Sequence, residues 1–115
     1  MNDTLRLAFL GGAGRIGTAV IGGLLEAGTV EPGQVTITAR HQLSLDRCEF
    51  AEVKRTLDNH EAVGTADVLV LCVHPSEVDE LVSEIAPSVK PNQLVLSLVT
   101  GVTTRHLERS LGEGV

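Results

Sequence analysis

Three glycines near the N-terminus have the spacing of a backbone turn that can hold phosphate groups. Gly12, Gly14 and Gly17 fit Gly-x-Gly-x-x-Gly, a pattern that carries little weight alone in a chain with 12 glycines. Here it follows an apolar run typical of a strand and opens a segment with helical periodicity, the context that gives it meaning. The first glycine would permit a tight turn, the second a close approach of the backbone to a pyrophosphate, and the third close packing of helix and strand. With the N–H groups of the helix start facing the phosphates, the motif favours a dinucleotide site over a turn used only for packing.

The end of the second predicted strand indicates which dinucleotide would bind. NAD-binding domains usually carry Asp or Glu there, about 20 residues beyond the glycines, to bond the ribose 2′-hydroxyl. This chain reads Thr-Ala-Arg-His at 38–41, with no acid. The guanidinium of Arg40 suits a 2′-phosphate, because arginine binds phosphate through planar, charge-assisted hydrogen bonds. NADP(H) is therefore favoured and NAD is less favoured; a solvated Arg40 is the alternative.

Few other residues have a pattern that predicts chemistry. The sequence contains no recognisable nucleophile–base pair, metal-ligand cluster or carboxylate dyad, so no metal is expected and no residue is assigned to catalysis. His74 follows the fourth predicted strand at its carboxyl end, where open α/β sheets bind ligands, and could contact a cofactor ribose or donate a proton. His60 and His106 lie in polar helical surroundings and are interpreted as solvated. Cys72 lies in an apolar run and is interpreted as a buried small hydrophobe.

Strands and helices are predicted to alternate along the chain. The second helix and the third strand, which lie between 41 and 56, are the weakest of these patterns. Ser76 followed by Asp79 predicts a capping box for one helix, and Val102 with Leu107 predicts a hydrophobic staple across an N-cap at Thr103. Alternation of this kind predicts a doubly wound, mainly parallel Rossmann-type α/β sheet with helices on both faces. The predicted strands cover 5–10, 35–39, a short segment near 53, 67–73 and 94–98, and the predicted helices cover 16–27, 44–50, 76–85 and 103–112.

Composition limits the class of protein. At 115 residues the chain is long enough for one domain, so residues 1–115 are expected to form a single dinucleotide-binding unit. Because the net charge is −6 and no run of Lys or Arg occurs, neither nucleic acid nor a membrane surface is an expected partner. The sequence shows no signal peptide and no apolar stretch of about 20 residues, so a cytoplasmic location is expected.

Four segments together resemble the N-terminal domain of the pyrroline-5-carboxylate reductase family. They are GAGRIG at 12–17, IGGLL at 21–25, ADVLVLCVHP at 66–75 and SLVTGV at 97–102. The likeness runs from about Leu7 to Gly112. One departure is that residues 72–75 read Cys-Val-His-Pro where the family usually has Ala-Val-Lys-Pro. Deazaflavin-dependent NADP reductases and prephenate dehydrogenases share the first segment and remain alternatives, although IGGLL and Val-x-Pro favour the pyrroline-type reductase.

The resemblance implies a function and a set of binding residues. The family reduces the C=N bond of 1-pyrroline-5-carboxylate to L-proline with hydride from NAD(P)H, in proline biosynthesis. In the family a helical C-terminal domain holds the imine substrate and makes the dimer, and no such residues follow Val115; a stand-alone, non-catalytic NADP-binding module is the alternative. The implied cofactor-binding residues are Gly11, Gly12, Ala13, Gly14, Arg15, Ile16 and Gly17 around the pyrophosphate, Ala39, Arg40 and Asn59 at the adenosine end, and Cys72, Val73, His74, Pro75, Leu98, Val99 and Thr100 on the nicotinamide side.

Overall fold

The strands and helices alternate along the chain as the sequence predicts, and one further helix, Asn59–Thr65, was not predicted. The computed structural model describes residues 5–50, 52–99, 101 and 103–111. Single 3-10 turns at Pro32–Gln34, Pro75–Glu77 and Ala86–Ser88 lie between the longer elements. The strands are β1 (Leu7–Leu10), β2 (Val35–Thr38), β3 (Lys54–Thr56), β4 (Val68–Leu71) and β5 (Leu94–Ser97), and the helices are α1 (Arg15–Glu26), α2 (Gln42–Asp46), α3 (Asn59–Thr65), α4 (Val78–Ile85) and α5 (Thr104–Leu111).

Within the described residues, the five strands form one fully parallel sheet in the order β3-β2-β1-β4-β5. Leu7 at the start of β1 lies opposite Val35 of β2 on one side and Val68 of β4 on the other. The chain therefore moves outward in one direction through β2 and β3 and in the other through β4 and β5. Such a reversal leaves a crevice at the carboxyl ends of the two central strands, where ligands of open α/β sheets bind.

Helices cover both faces of the sheet, as a doubly wound fold requires. Successive residues of β1 point to opposite faces, so Phe9 packs with Ile21 of α1 in one buried cluster. Leu10 packs with Val63 of α3 and Val82 of α4 in the other. The predicted Rossmann-type architecture is confirmed.

Helix starts differ from the sequence prediction at one important place. The predicted capping box at Ser76 is wrong, because His74 caps the preceding 3-10 turn through its side chain and α4 begins only at Val78. Pro75 explains the change: proline favours the first position of a helical turn, which puts the cap on the residue before it. The cap at Thr103 is confirmed, since its hydroxyl accepts the His106 amide at 3.1 Å. The staple residue Val102 lies outside the described residues.

One further prediction is corrected, and the buried face of α1 is defined. Ile16 is 55% exposed, and the buried positions of α1 are Gly17 and Ile21. The helix predicted at 44–50 instead spans Gln42–Asp46. In the part of the chain that the structure describes, no helix combines the length and apolar character needed to cross a membrane.

Candidate functional site

The turn after β1 depends on glycine at two positions for different reasons. Gly11 has φ +76°, a left-handed conformation that side chains with a Cβ rarely adopt. A Cβ on Gly12 would lie 2.5 Å from the Cβ of Phe9, although its φ is not positive. The left-handed residue is thus Gly11, one position before the first glycine of the motif, and Gly12 is required for space.

The other two motif glycines have separate roles. A Cβ on Gly17 would lie 2.6 Å from the Cα of Gly12, so this glycine lets α1 approach the turn, as predicted. A Cβ on Gly14 would meet nothing closer than the carbonyl oxygen of Gly11, at 3.8 Å. Packing within the protein therefore gives no reason for glycine at position 14, whereas a ligand lying against the backbone there would.

The start of α1 offers hydrogen-bond donors at this same place. The first bond of the helix runs from the Thr18 amide to the Gly14 carbonyl, at 3.0 Å. The amides of Arg15, Ile16 and Gly17 precede it and have no acceptor within the helix. Together with the positive end of the helix dipole, they form a site suited to an anion. A shallow cleft lies beside it, bordered by Ala13, Gly14, Arg15, Thr18, Arg47, Cys48, Glu49 and Phe50.

Thr38, which sequence reasoning missed, positions the turn from the neighbouring strand. Its side chain is buried, with 1% of the residue exposed, and its hydroxyl accepts the Gly11 amide at 3.0 Å. No signal in the sequence singles it out, because β2 reads Val-Thr-Ile-Thr and Thr38 is one of its two threonines. The bond ties the end of β2 to the turn after β1 and so fixes the floor of the crevice.

One cleft at the carboxyl edge of the sheet collects five of the predicted binding residues from four separate segments. Gly11 comes from the turn after β1, Ala39 and Arg40 from the end of β2, Asn59 from the start of α3, and Val73 from the end of β4. The remaining lining residues, none of them predicted, are Thr38, Glu77, Glu80, Leu81 and Glu84.

Arg40 is exposed but already paired. Its guanidinium lies 2.7 Å from the Glu77 carboxylate and 3.8 Å from that of Glu80. Arg40 lines the cleft from the end of β2, but sequence reasoning did not foresee the carboxylates beside it. With Glu84 they follow the spacing 77, 80, 84, which places them on one side of α4, and this helical spacing was the only local signal.

Asn59 joins α3 to α4 at the same cleft. Its side-chain amide nitrogen lies 3.2 Å from a carboxylate oxygen of Glu84. Its oxygen Oδ1 is buried and has no hydrogen-bond partner among the described residues. An orphaned polar atom in a cleft wall is consistent with a site that a ligand completes.

The segment after β4 contains the next group of predicted residues. Cys72 is partly buried, and burial raises the pKa of its thiol to about 11, so the thiol is protonated at neutral pH. The interpretation of Cys72 as a buried small hydrophobe is thus only partly right. His74 and Pro75 are exposed. His74 Nδ1 accepts the Ser76 amide at 3.3 Å, so the neutral ring carries its proton on Nε2, which remains available to a ligand.

The last predicted residues follow β5 at the same edge of the sheet. Leu98 is 37% exposed and Val99 is buried. The Val99 amide donates to the Ser97 hydroxyl at 3.1 Å, which holds the chain as it leaves the strand. Thr100 lies outside the described residues.

The other histidines make contacts on the protein surface. His60 Nδ1 lies 2.8 Å from the Ser88 hydroxyl, and His106 Nε2 lies 2.5 Å from the Asp79 carboxylate, which joins α5 to α4. Neither residue lines the cleft. Among the described residues, no three His, Cys, Asp or Glu side chains are arranged to hold a metal ion.

Comparison with known proteins agrees with this geometry. The family described as "NADP oxidoreductase coenzyme F420-dependent" matches residues 6–101. The chain is 37% identical over 113 residues to a pyrroline-5-carboxylate reductase of Pseudomonas aeruginosa, a match that covers 96% of the chain and 40% of that protein. A solved pyrroline-5-carboxylate reductase from Coxiella burnetii superimposes with a TM-score of 0.86 at 34% identity, covering 96% of this chain and 41% of that one.

A second solved structure shows the shared fold alone. The Plasmodium falciparum pyrroline carboxylate reductase with NADP bound superimposes with a TM-score of 0.83 at 19% identity, over 98% of this chain and 40% of that one. The chain spans 40% or less of the length of the curated relatives it matches. The chain belongs to the NADP oxidoreductase, coenzyme F420-dependent family, and its resemblance to the N-terminal domain of the pyrroline-5-carboxylate reductases is confirmed.

Proposed function

We propose that this chain is the NADP(H)-binding domain of an oxidoreductase that reduces 1-pyrroline-5-carboxylate to L-proline. The observation that carries the proposal is the cleft in which Gly11, Ala39, Arg40, Asn59 and Val73 meet, close to the N-terminus of α1, whose first amides have no acceptor within the helix. The residues present fit a dinucleotide, because Gly14 leaves its backbone open to a ligand where no contact within the protein requires it.

In this proposal each part of the crevice holds a different part of the cofactor. The amides of Arg15, Ile16 and Gly17 bind the pyrophosphate, with the helix dipole adding to the attraction. Arg40 and Asn59 hold the adenosine end. The segments 72–75 and 98–100 lie along the nicotinamide side, where the His74 Nε2–H can donate to a ribose hydroxyl. When bound, the nicotinamide supplies the hydride, and the protein supplies binding and orientation.

The imine substrate, in the same proposal, is held by residues beyond this domain. The described residues of the crevice do not enclose a pocket that combines apolar walls with polar groups for a small carboxylated imine. The matched reductases are more than twice as long as this chain, which leaves room in them for a second domain that would hold the imine and build a homo-oligomer. A cytoplasmic location belongs to the same proposal.

The matching family description favours one alternative reaction. Its reference to coenzyme F420 would fit hydride exchange between NADP(H) and a deazaflavin at the same crevice. A domain that binds NADP(H) without any catalysis is the other alternative.

The test is a calorimetric titration of NADPH and NADH into the wild-type domain and Arg40→Ala. Charge-assisted hydrogen bonds contribute about 1.5–3 kcal/mol, so the variant should lose roughly 10- to 100-fold in NADPH affinity and little in NADH affinity. Equal losses of affinity for both cofactors would contradict the assignment of Arg40 to the 2′-phosphate. Failure of the wild-type domain to bind either cofactor would contradict the proposed function.

The reaction is tested on a longer chain that contains this domain. NADPH oxidation is followed with 1-pyrroline-5-carboxylate and, separately, with oxidised coenzyme F420. Turnover with the imine supports the proposal. Turnover with the deazaflavin alone selects the first alternative, and binding of NADPH without turnover in either assay selects the second.

A further inference from the structure

Among the described residues that line the cleft, Arg40 is the only cation, and it is paired with a carboxylate. Arg40 and Glu77 are 37 positions apart in the chain, yet their side chains lie 2.7 Å apart across the cleft. The Glu77 side chain is only 30% exposed. A 2′-phosphate on the adenosine ribose would compete with the Glu77 carboxylate for this guanidinium, whose Nη1 already bonds Glu77.

The backbone fixes Glu77 in this position. Its amide donates to the His74 carbonyl at 2.8 Å within the 3-10 turn, and the residue is the N-cap of α4. Glu80, one turn further along the helix, adds a second carboxylate 3.8 Å from Arg40. The backbone of the 3-10 turn and of α4 therefore holds the Glu77 carboxylate at the proposed adenosine end of the cleft.

We propose that Glu77 is a specificity-determining residue that acts through Arg40 and reduces the preference of the domain for NADPH over NADH. An approaching 2′-phosphate has to break the Arg40–Glu77 pair, whereas NADH, which lacks this phosphate, leaves the pair in place. Arg40 alone would give a strong preference for NADPH, and Glu77 lowers it. The inference rests on the proposed cofactor site but concerns the choice between two cofactors rather than binding itself.

The experiment compares the wild-type domain with Glu77→Gln, which keeps the size of the side chain and removes its charge. Binding of NADPH and NADH is measured by calorimetry at low ionic strength. NADPH affinity should rise about 2- to 5-fold, the range expected for a partly exposed ion pair, and NADH affinity should change by less than about 1.5-fold. At about 1 M salt, where exposed charges are screened, the gain should disappear.

Two further variants separate this role from general effects. Glu26→Gln makes the same change in net charge at an exposed position at the end of α1, and should alter neither affinity. In an Arg40→Ala background, Glu77→Gln should no longer raise NADPH affinity, because the pair it breaks is already gone.

Each outcome decides the inference. An equal gain for both cofactors, or no gain for NADPH, overturns the role of Glu77 in specificity. A gain in NADPH affinity that persists in the Arg40→Ala background shows that Glu77 repels the phosphate directly. That result overturns the proposal that Glu77 acts through Arg40. Failure of the wild-type domain to bind either cofactor overturns the proposed function as well, and is thereby distinguished from the other results.

Discussion

Alanine substitutions at Gly14 and Gly17 test two different reasons for glycine: access of a ligand to the backbone at position 14 and close packing of α1 on the turn at position 17. An alanine at position 17 would place its Cβ 2.5–2.6 Å from backbone atoms of Gly12, so the two segments must separate by about 1 Å to reach ordinary contact. Overpacking of this kind costs about 1–3 kcal/mol, and the higher helix propensity of alanine returns up to about 1 kcal/mol. We expect a net loss of about 1–2 kcal/mol, which lowers the melting temperature by roughly 5–10 °C.

Gly14→Ala should leave the fold intact. Its φ of −80° suits any residue, and the nearest atom to the new Cβ would be the Gly11 oxygen at 3.8 Å. The melting temperature should stay within about 4 °C of wild type, since the expected change in stability is below about 1 kcal/mol. If the pyrophosphate lies against Gly14, however, the methyl group holds it away from the amides of α1. Loss of two charge-assisted bonds would then weaken NADPH binding by at least about 100-fold.

Thermal melting followed by circular dichroism and NADPH titration by calorimetry measure the two effects independently. Wild-type NADPH affinity in Gly14→Ala would show that no cofactor lies against this glycine. An unchanged melting temperature in Gly17→Ala would refute the account of how α1 packs on the turn.

Three further predictions follow from individual contacts. Thr38→Val should leave the Gly11 amide without its partner and cost about 1–3 kcal/mol in the free energy of unfolding, whereas Thr38→Ser keeps the acceptor; equal melting temperatures for the two variants would contradict this. In a Cys48→Ala variant, the rate of Cys72 alkylation by iodoacetamide should keep rising above pH 9 with a midpoint near 11, because only the thiolate reacts and burial raises the pKa of the thiol. A rate that reaches its plateau by pH 9 would exclude the raised pKa. The 115-residue chain alone should bind NADPH yet not oxidise it with 1-pyrroline-5-carboxylate, because catalysis requires the imine carbon to be held about 3–3.5 Å from the nicotinamide; turnover by this chain would show a complete site within it.

The parts of the fold that could be predicted have strong local patterns. Buried parallel strands are apolar on both faces, so β1 and β4 stand out as nearly continuous runs of Val, Leu, Ala and Phe. The glycine motif could be placed on the strand-to-helix turn because it lies between two such recognisable patterns. The weakly patterned segment 41–56 gave the right kinds of element, but α2 was shifted by several residues.

The candidate site was predictable only where the backbone defines it. The glycine turn and the end of β2 follow from the order of the strands, so Gly11 and Arg40 could be brought together from the sequence. Glu77 could not, because its contact with Arg40 depends on where α4 begins, and Pro75 moves that start beyond the predicted cap at Ser76. The N-cap of α4 is Glu77, one residue beyond the predicted cap, and its carboxylate lies beside Arg40.

The two kinds of contact in the crevice differ in how readily substitutions could change them. The proposed pyrophosphate site consists of backbone amides. Two backbone hydrogen bonds, Cys72 to Leu10 and Leu98 to Leu71, hold its surroundings together with the bond from the Gly11 amide to the buried Thr38 hydroxyl, each at 3.0 Å. These bonds join the carboxyl ends of β2, β1, β4 and β5, so a side-chain substitution on the surface leaves them in place. In the proposed function, discrimination between NADPH and NADH depends instead on Arg40 and the carboxylates near it. Cofactor preference should therefore respond to single surface substitutions that leave both the fold and the affinity for the shared pyrophosphate unchanged.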